Sequence, residues 1–376
     1  MDAKTVIVGG GMAGMSCALA LKERGRDFVM ITENLGGRVR YSPEYRVNYG
    51  AYFVMRNYHN AKKILKKEAW INPLGIQFVE NESLRMPVLG WKTITRIPGL
   101  LRFVKLLLVF SSHYEKFKRN CTLKSQMESL KEDAYLYDLY FTSSSDFIKK
   151  HGMEKLAADY ISKFTYACTL TPIDNLSAFD VMTVALGLMP PMHTFSFDEK
   201  GMAGLLKDEL VTGTVSAVKK TGGRYTVTAA DGVRYVADTL VMATPAVVTQ
   251  KLLKIPGIRK TSSAYVYHLK GAPRERYAPY SLNLYSPAYE ISALARQHDG
   301  TYLLFSCIRD LDLNKYFAHY ETIRKVEWEK ALYVIGREFL EQRYDENCYI
   351  AGDHNSLGLE PACISGIYAA NQIINN

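Results

Sequence analysis

Apolar and polar positions along the chain follow two rhythms, and the first forty residues show both. Thr5–Val8 is a short β-branched, apolar run, the form of a buried parallel strand. Residues 14–24 are patterned as a helix, with the good helix formers Ala18, Leu19 and Leu21, and Gly25 stops it. Asp27–Ile31 returns to the strand pattern. Further on, a helix is expected around Ala61–Ala69 and a strand at Ile76–Glu80. Ile97–Phe110 is helical in pattern and is followed by Lys116, Lys118 and Arg119. From 121 to 190 helices dominate, as Ser143–Lys150, Glu154–Tyr166 and Ala178–Leu188.

The pattern then turns to strands. Thr214–Lys219, Arg224–Ala229 and Arg234–Ala237 form a meander with Asp231-Gly232 as a tight hairpin turn. Thr239–Ala243 is a buried strand that runs into Thr244-Pro245. Ala264–Leu269, Ser281–Tyr285 and Tyr302–Cys307 predict a second, antiparallel sheet, and Ile323–Gln342 a helix leading back. Cys348–Asp353 is a strand ending in Gly-Asp. The helix after it has Pro361 in its first turn and Ser365, Gly366, Ala369 and Ala370 as one small face for close packing.

The glycines between the first strand and helix have chemical meaning. Gly9, Gly11 and Gly14 keep the G-x-G-x-x-G spacing: a tight turn, a close backbone approach to a pyrophosphate, and room for a helix against a sheet. The helix N-terminus would face the phosphates. An acid about twenty residues on is expected to bind a ribose hydroxyl, and Glu33 stands there. Gly36-Gly37-Arg38 follows, and an arginine's planar fork matches two phosphate oxygens.

This pairing of fingerprint with Gly-Gly-Arg resembles the FAD-dependent amine oxidase, phytoene desaturase and protoporphyrinogen oxidase superfamily. The resemblance implies an α/β fold, a Rossmann-like FAD-binding domain with a discontinuous α+β substrate domain of antiparallel sheet and helical cap. It assigns 1–55, 196–257 and 344–376 to the FAD-binding domain, and 56–195 and 258–343 to the substrate domain. It implies FAD contacts at Gly9, Gly11, Met12, Ala13, Gly14, Glu33, Gly36, Gly37 and Arg38. It also implies that the backbone at Val215 meets the adenine, that Thr244 and Pro245 close over the cofactor, and that Ala243 contacts it. Gly352, Asp353 and Ala362 belong to the C-terminal flavin motif. Two departures show: the loop from Glu33 to Gly36 is shorter than usual, and Asn48 stands where the family has an acid before Gly50 and Ala51.

The activity implied is an oxidase, dehydrogenase or desaturase that accepts hydride from a substrate C–H bond onto the flavin. The substrate would be a small molecule of apolar or aromatic character. No catalytic residue is assigned: relatives often keep a lysine that reaches the flavin through water, and no lysine of this sequence is matched to it. His354, next to Asp353, reads either as a catalytic residue or as a loop histidine near the cofactor, with the loop reading favoured. A non-redox flavoenzyme of the UDP-galactopyranose mutase type and a lipid- or prenyl-binding protein of the Rab escort type stay open. Intact Arg38 and Gly352-Asp353 speak against the second.

Composition adds three points. The net charge of +9 exceeds what two cofactor phosphates need, so anionic membrane surfaces are candidate partners, and no tract resembles a nucleic-acid-binding module. Residues 97–119 are both basic and apolar, the pattern either of a helix lying on a membrane or of a core helix with a charged end. The six cysteines form no C-x-x-C pair and no metal site is expected. No apolar run approaches the roughly eighteen residues that span a bilayer, and no signal peptide precedes the first strand, so a cytoplasmic location is expected. Tyr265, Tyr267, Tyr285 and Tyr289 either line a substrate cavity or form the face of a sheet.

Overall fold

The computed structural model describes residues 1–81, 85–88, 90–189, 191–255 and 258–375. Two large sheets, a two-stranded and a three-stranded sheet, and a helical insertion make up the described chain. The first sheet grows from β1 (Asp2–Gly11), whose residues Thr5–Val8 are buried. Helix α1 (Met12–Glu23) starts directly after Gly11, and β2 (Phe28–Gly36) follows, parallel to β1. Arg234–Met242 lies parallel on the other side of β1, and Leu210–Thr212 parallel on the far side of β2. One long strand thus replaces the two expected at Arg234–Ala237 and Thr239–Ala243. Its first half pairs with the meander strand Arg224–Ala229, its second half with Cys348–Ile350. The first three strands of this unit carry the buried apolar run of parallel strands covered on both faces.

The C-terminal helix Leu359–Asn375 lies against α1. Close approach is possible because Gly366 faces the Ala13 carbonyl; any Cβ there would overlap that oxygen. The small face expected on this helix is thus where the helix meets its neighbour.

The second sheet has seven strands, in the order Phe317–Ile335, Lys260–Pro273, Tyr302–Ser306, Ile291–Arg296, Leu282–Tyr285, Ile76–Val79 and Arg85–Pro87. All its pairs are antiparallel except Leu282–Tyr285 with Ile76–Val79. Between Gly90 and Leu188 the chain is helical, including α2 (Trp91–Thr95) and α3 (Ile97–Asn120).

Two sequence expectations fail. Ile323–Gln342 is not a helix: it falls mostly within the nineteen-residue strand Phe317–Ile335. Its Glu, Lys and Arg residues favour a helix locally, but Lys260–Pro273 offers a long partner and pairing with it decides the outcome. The charges then serve an edge strand, where they discourage further pairing. Ala61–Ala69 is also not a helix: a single turn at Ala61–Lys63 leads into the strand Leu65–Trp70, paired with Met192–Phe197. The turn is fixed from outside. The buried Glu360 carboxylate accepts hydrogen bonds from the backbone N–H groups of His59, Asn60 and Ala61 at 2.8–3.0 Å.

Candidate functional site

A cavity of about 600 Å³ runs between the two sheets. One half is walled by the glycine-rich turns and the other by apolar side chains. The first half begins where β1 ends. Gly14 sits on the first turn of α1, and a Cβ there would overlap the Gly9 carbonyl oxygen while meeting Ala243 Cβ at 3.3 Å. Only a glycine lets the helix start this close to the strand ends. Gly11 is the opposite case, since a Cβ there would meet no atom within 4 Å and would stand in the open cavity. Gly36 and Gly37 have φ of 88° and 58°, the left-handed region, and fold β2 back so that Gly37 comes against Gly11. Two glycine turns therefore touch and leave a bare backbone cradle at the N-terminus of α1, the arrangement that suits a pyrophosphate.

Around this cradle the structure brings together most of the residues singled out in the sequence. Gly9, Gly11, Met12, Ala13, Glu33, Gly36, Gly37, Arg38, Val215, Ala243, Thr244, Gly352, Asp353 and Ala362 all line the one cavity. Gly14 alone lies behind the wall, as a packing residue. Glu33 accepts a hydrogen bond from Thr214 Oγ1 at 2.9 Å, at the end marked by Val215. Asn48 does not reach the cavity. It is buried in a two-stranded hairpin and donates to the Phe195 carbonyl at 2.7 Å, a structural role.

Arg38 and Asp353 form an ion pair, and Arg38 Nη1 also donates to the Ala331 carbonyl at 2.7 Å. The guanidinium side chain keeps 31% exposure, and it lines the cavity. Burial works against its charge, but Asp353 more than offsets this and the pKa is raised. His354, next in the chain, is 7% exposed and lines the cavity, and among the described residues neither of its ring nitrogens has a hydrogen-bond partner. Burial lowers its pKa, so the ring is neutral at neutral pH. A bare cradle, a cavity-facing arginine and a histidine with two unpartnered nitrogens fit a dinucleotide cofactor that would contact them.

The other half of the cavity comes from the second sheet and the helical insertion. Strand alternation decides which side chains face it: Ala264 and Val266 line the cavity, while Tyr265 and Tyr267 point away. Tyr265, Tyr267, Tyr285 and Tyr289 belong to a separate cluster on the other face, so the tyrosine set is the face of a sheet and not the cavity wall. The aromatic wall is instead Tyr52, Phe53, Tyr58, Phe164 and Phe305. Cys168 also lines this half, and burial pushes its thiol up to about 12, so it is protonated.

One lysine, Lys330, is among the lining residues. Sequence reasoning missed it because it placed 323–342 in a helix. In the observed strand the pairing with Ser262–Ala264 shifts register between Trp328 and Leu332, and Trp328, Lys330, Ala331 and Leu332 all line the cavity, so a plain two-residue period does not single Lys330 out. Among the described residues no group of His, Cys, Asp or Glu is arranged to hold a metal ion.

Comparison with known proteins gives the same architecture. Residues 7–67 match the model of an NAD(P)-binding Rossmann-like domain. No curated protein sequence matches the chain. Among solved structures, a double mutant of putrescine oxidase superposes with a TM-score of 0.73 at 15% identity, covering 100% of both chains. A fatty acid isomerase from P. acnes gives 0.71 at 14% identity over 97% of both chains. A protein described as a protoporphyrinogen oxidase from Exiguobacterium sp. 255-15 gives 0.61 at 16% identity, over 99% of this chain and 98% of the other. The resemblance read from the Gly-x-Gly-x-x-Gly and Gly-Gly-Arg motifs therefore holds as a fold: the chain has the amine-oxidase-like architecture, a Rossmann-like dinucleotide domain joined to a multi-stranded second unit.

Proposed function

We propose that this chain binds FAD across the cavity and is an FAD-dependent oxidoreductase acting on a C–H bond of a small apolar substrate. The observation that carries the reading is that one continuous cavity joins the glycine cradle to an apolar, aromatic-walled half. The resident cofactor would supply the hydride acceptor. The protein's part is to hold, orient and exclude water.

In this reading the cradle of Gly11 and Gly37, with Arg38, holds the pyrophosphate, and Glu33 beside Thr214 holds a ribose. Asp353 and Ala362 bind near the ribityl chain, with Met12, Ala13, Gly9, Gly36, Val215, Ala243, Thr244 and Gly352 as backbone or wall contacts. The apolar wall of Phe53, Phe164, Val266 and Phe305 selects an uncharged substrate portion and keeps water away. Lys330 is the lysine that lines the cavity, exposed on strand Phe317–Ile335, and its ammonium would lie on the cofactor side. Cys168 stays a protonated wall residue.

The test is anaerobic mixing of the flavin-loaded protein with panels of primary amines and of unsaturated fatty acids. Bleaching of the oxidised flavin band together with a product two hydrogens poorer supports the reading. A stably loaded protein that no panel member bleaches, while a substrate is rearranged without mass change, would replace it with a redox-neutral one. That second reading is favoured by one observation, the fatty acid isomerase that shares this fold over nearly the whole chain.

A further inference from the structure

Helix α3 has two apolar faces, and only one is covered. Phe103, Leu107, Phe110, Tyr114 and Phe117 are buried, and Phe110, Tyr114 and Phe117 pack on Phe179. This satisfies the core-helix half of the sequence expectation. The other face carries Ile97, Leu101, Val104 and Leu108, at steps of four, three and four residues that set them in one stripe. All four are exposed, Leu101 at 66% and Leu108 at 55%. Helix α2 extends the stripe with Ile94 and with Trp91, which is 77% exposed. Single exposed apolar residues are ordinary, but six in a row on adjoining helices are not.

The charge around the stripe selects its partner. Residues 91–119 contain seven cations, Lys92, Arg96, Arg102, Lys105, Lys116, Lys118 and Arg119, and one acid, Glu115. Glu115 is already tied to Lys118 at 2.7 Å. Lys92 and Arg96 pair with Asp159 and fix α2 in place, and Arg102 donates to the His151 carbonyl. Lys105 is exposed beside the stripe and has no acidic partner among the described residues. Lys116 is exposed near Glu132 and Asp133, which are themselves engaged by Lys124 and His113. Among the described residues no helix is long and apolar enough to cross a membrane.

We propose that α2 and the N-terminal half of α3 are a peripheral docking surface for anionic lipid. Trp91, Ile94, Ile97, Leu101, Val104 and Leu108 enter the boundary between headgroups and acyl chains, and Lys105 and Lys116 meet lipid phosphate. The surface is tied to a helix that leads into the cavity wall. Thr93 Oγ1 is 2.9 Å from the Tyr160 hydroxyl, and the helix that follows Tyr160 carries the wall residue Phe164. Docking is independent of which reaction the cavity supports.

Vesicle flotation of the full chain tests this, with phosphatidylcholine alone and phosphatidylcholine with phosphatidylglycerol, at low and high salt. The expected result is flotation with the anionic vesicles that weakens with salt. The triple variant Trp91→Gln, Leu101→Gln, Leu108→Gln should lose roughly tenfold or more of the bound fraction. The pair Lys105→Glu, Lys116→Glu should lose the preference for anionic lipid. Unchanged thermal melting shows that each variant is folded, and Leu101→Gln alone serves if the triple variant is not. Absence of wild-type flotation at low salt, equal flotation with neutral vesicles, or a triple variant that floats like the parent each overturns the proposal. So does a self-association in sedimentation that the triple variant abolishes while no vesicle is bound, which would give the stripe to a second copy of the chain.

Discussion

Two arginine–aspartate pairs in this molecule have the same chemistry and opposite surroundings. Arg38–Asp353 lines the cavity, and its guanidinium keeps an open side. Arg259–Asp180 is sealed, at 1% and 0% side-chain exposure, with Nη1 donating to Asp180 Oδ2 at 2.9 Å. There the guanidinium lies 5.0 Å from the centre of the Tyr140 ring, and its Nε and Nη2 find no hydrogen-bond partner among the described residues. In both pairs burial opposes the arginine's charge and the carboxylate outweighs it. The difference lies in what else the arginine can reach. Arg259 has only protein around it and can only tie the insertion helix Ala178–Ala185 to the start of the second sheet. Arg38 keeps room for an anion. An ion pair in a fold is therefore assigned by its open side and not by its geometry alone.

The comparison breaks most sharply at the sealed pair. Arg259→Met strands the Asp180 carboxylate in a dry interior and should cost about 3–5 kcal/mol in urea unfolding. Adding Asp180→Leu should recover most of that loss. FAD affinity of the folded fraction should not change. Recovery that fails would mean that the pair matters for more than mutual compensation.

Next in size is Gly14→Val. A branched side chain would press on the Gly9 carbonyl and Ala243, and overpacking of this kind costs about 1–3 kcal/mol. It also displaces the start of α1 from the cradle, so loss of stability and loss of FAD should come together. Thermal melts beside cofactor titration would show it.

Glu33→Ala separates the two effects. Glu33 is exposed and, among the described residues, accepts a side-chain hydrogen bond from Thr214 across the cavity's edge. Melting should shift little, while FAD affinity should fall tenfold to a hundredfold, the loss of about 1.5–3 kcal/mol for a charge-assisted bond. Unchanged affinity would hand the ribose to another residue, in line with the short loop before Gly36.

The smallest effect is a pH slope. Burial holds the folded pKa of His354 below its ordinary 6.5. As pH falls through about 6.5 the unfolded chain takes up the proton first, so stability declines from there down to the lower folded value and then levels. Other buried histidines contribute to the same decline, and the readout is therefore the difference from His354→Gln, whose slope in that window should be shallower. Parallel curves for parent and variant would show that His354 is already protonated or solvated in the folded chain.

What the sequence revealed and what it hid divide along the same line as the two pairs. The cradle was legible because its constraints are local: Gly9, Gly14, Gly36 and Gly37 are held to glycine by backbone space or a positive φ, and Gly11 keeps the cavity open beside them. Arg38 and Asp353 were legible as motif members, though their pairing across 315 residues was not. Phe317–Ile335 and Leu65–Trp70 were misread because their partners are distant strands that override local helix preference. Lys330 was lost with the first of these. The tyrosine question was open because alternation gives two faces without saying which one meets the cavity. The exposed stripe of α3 was undecidable in sequence, since a helix apolar on two sides looks the same whether the second side is covered or bare.

The central claim is that the open pair belongs to a dinucleotide cradle for FAD, and calorimetric titration tests it most directly. Apoprotein and Arg38→Ala would each be titrated with FAD, FMN and NAD. The account predicts that the parent binds FAD in preference to FMN and NAD. It predicts that Arg38→Ala loses roughly tenfold to a hundredfold in FAD affinity with little change in melting. Binding of FMN or NAD as tight as FAD, or an Arg38→Ala protein that binds FAD like the parent, would contradict it.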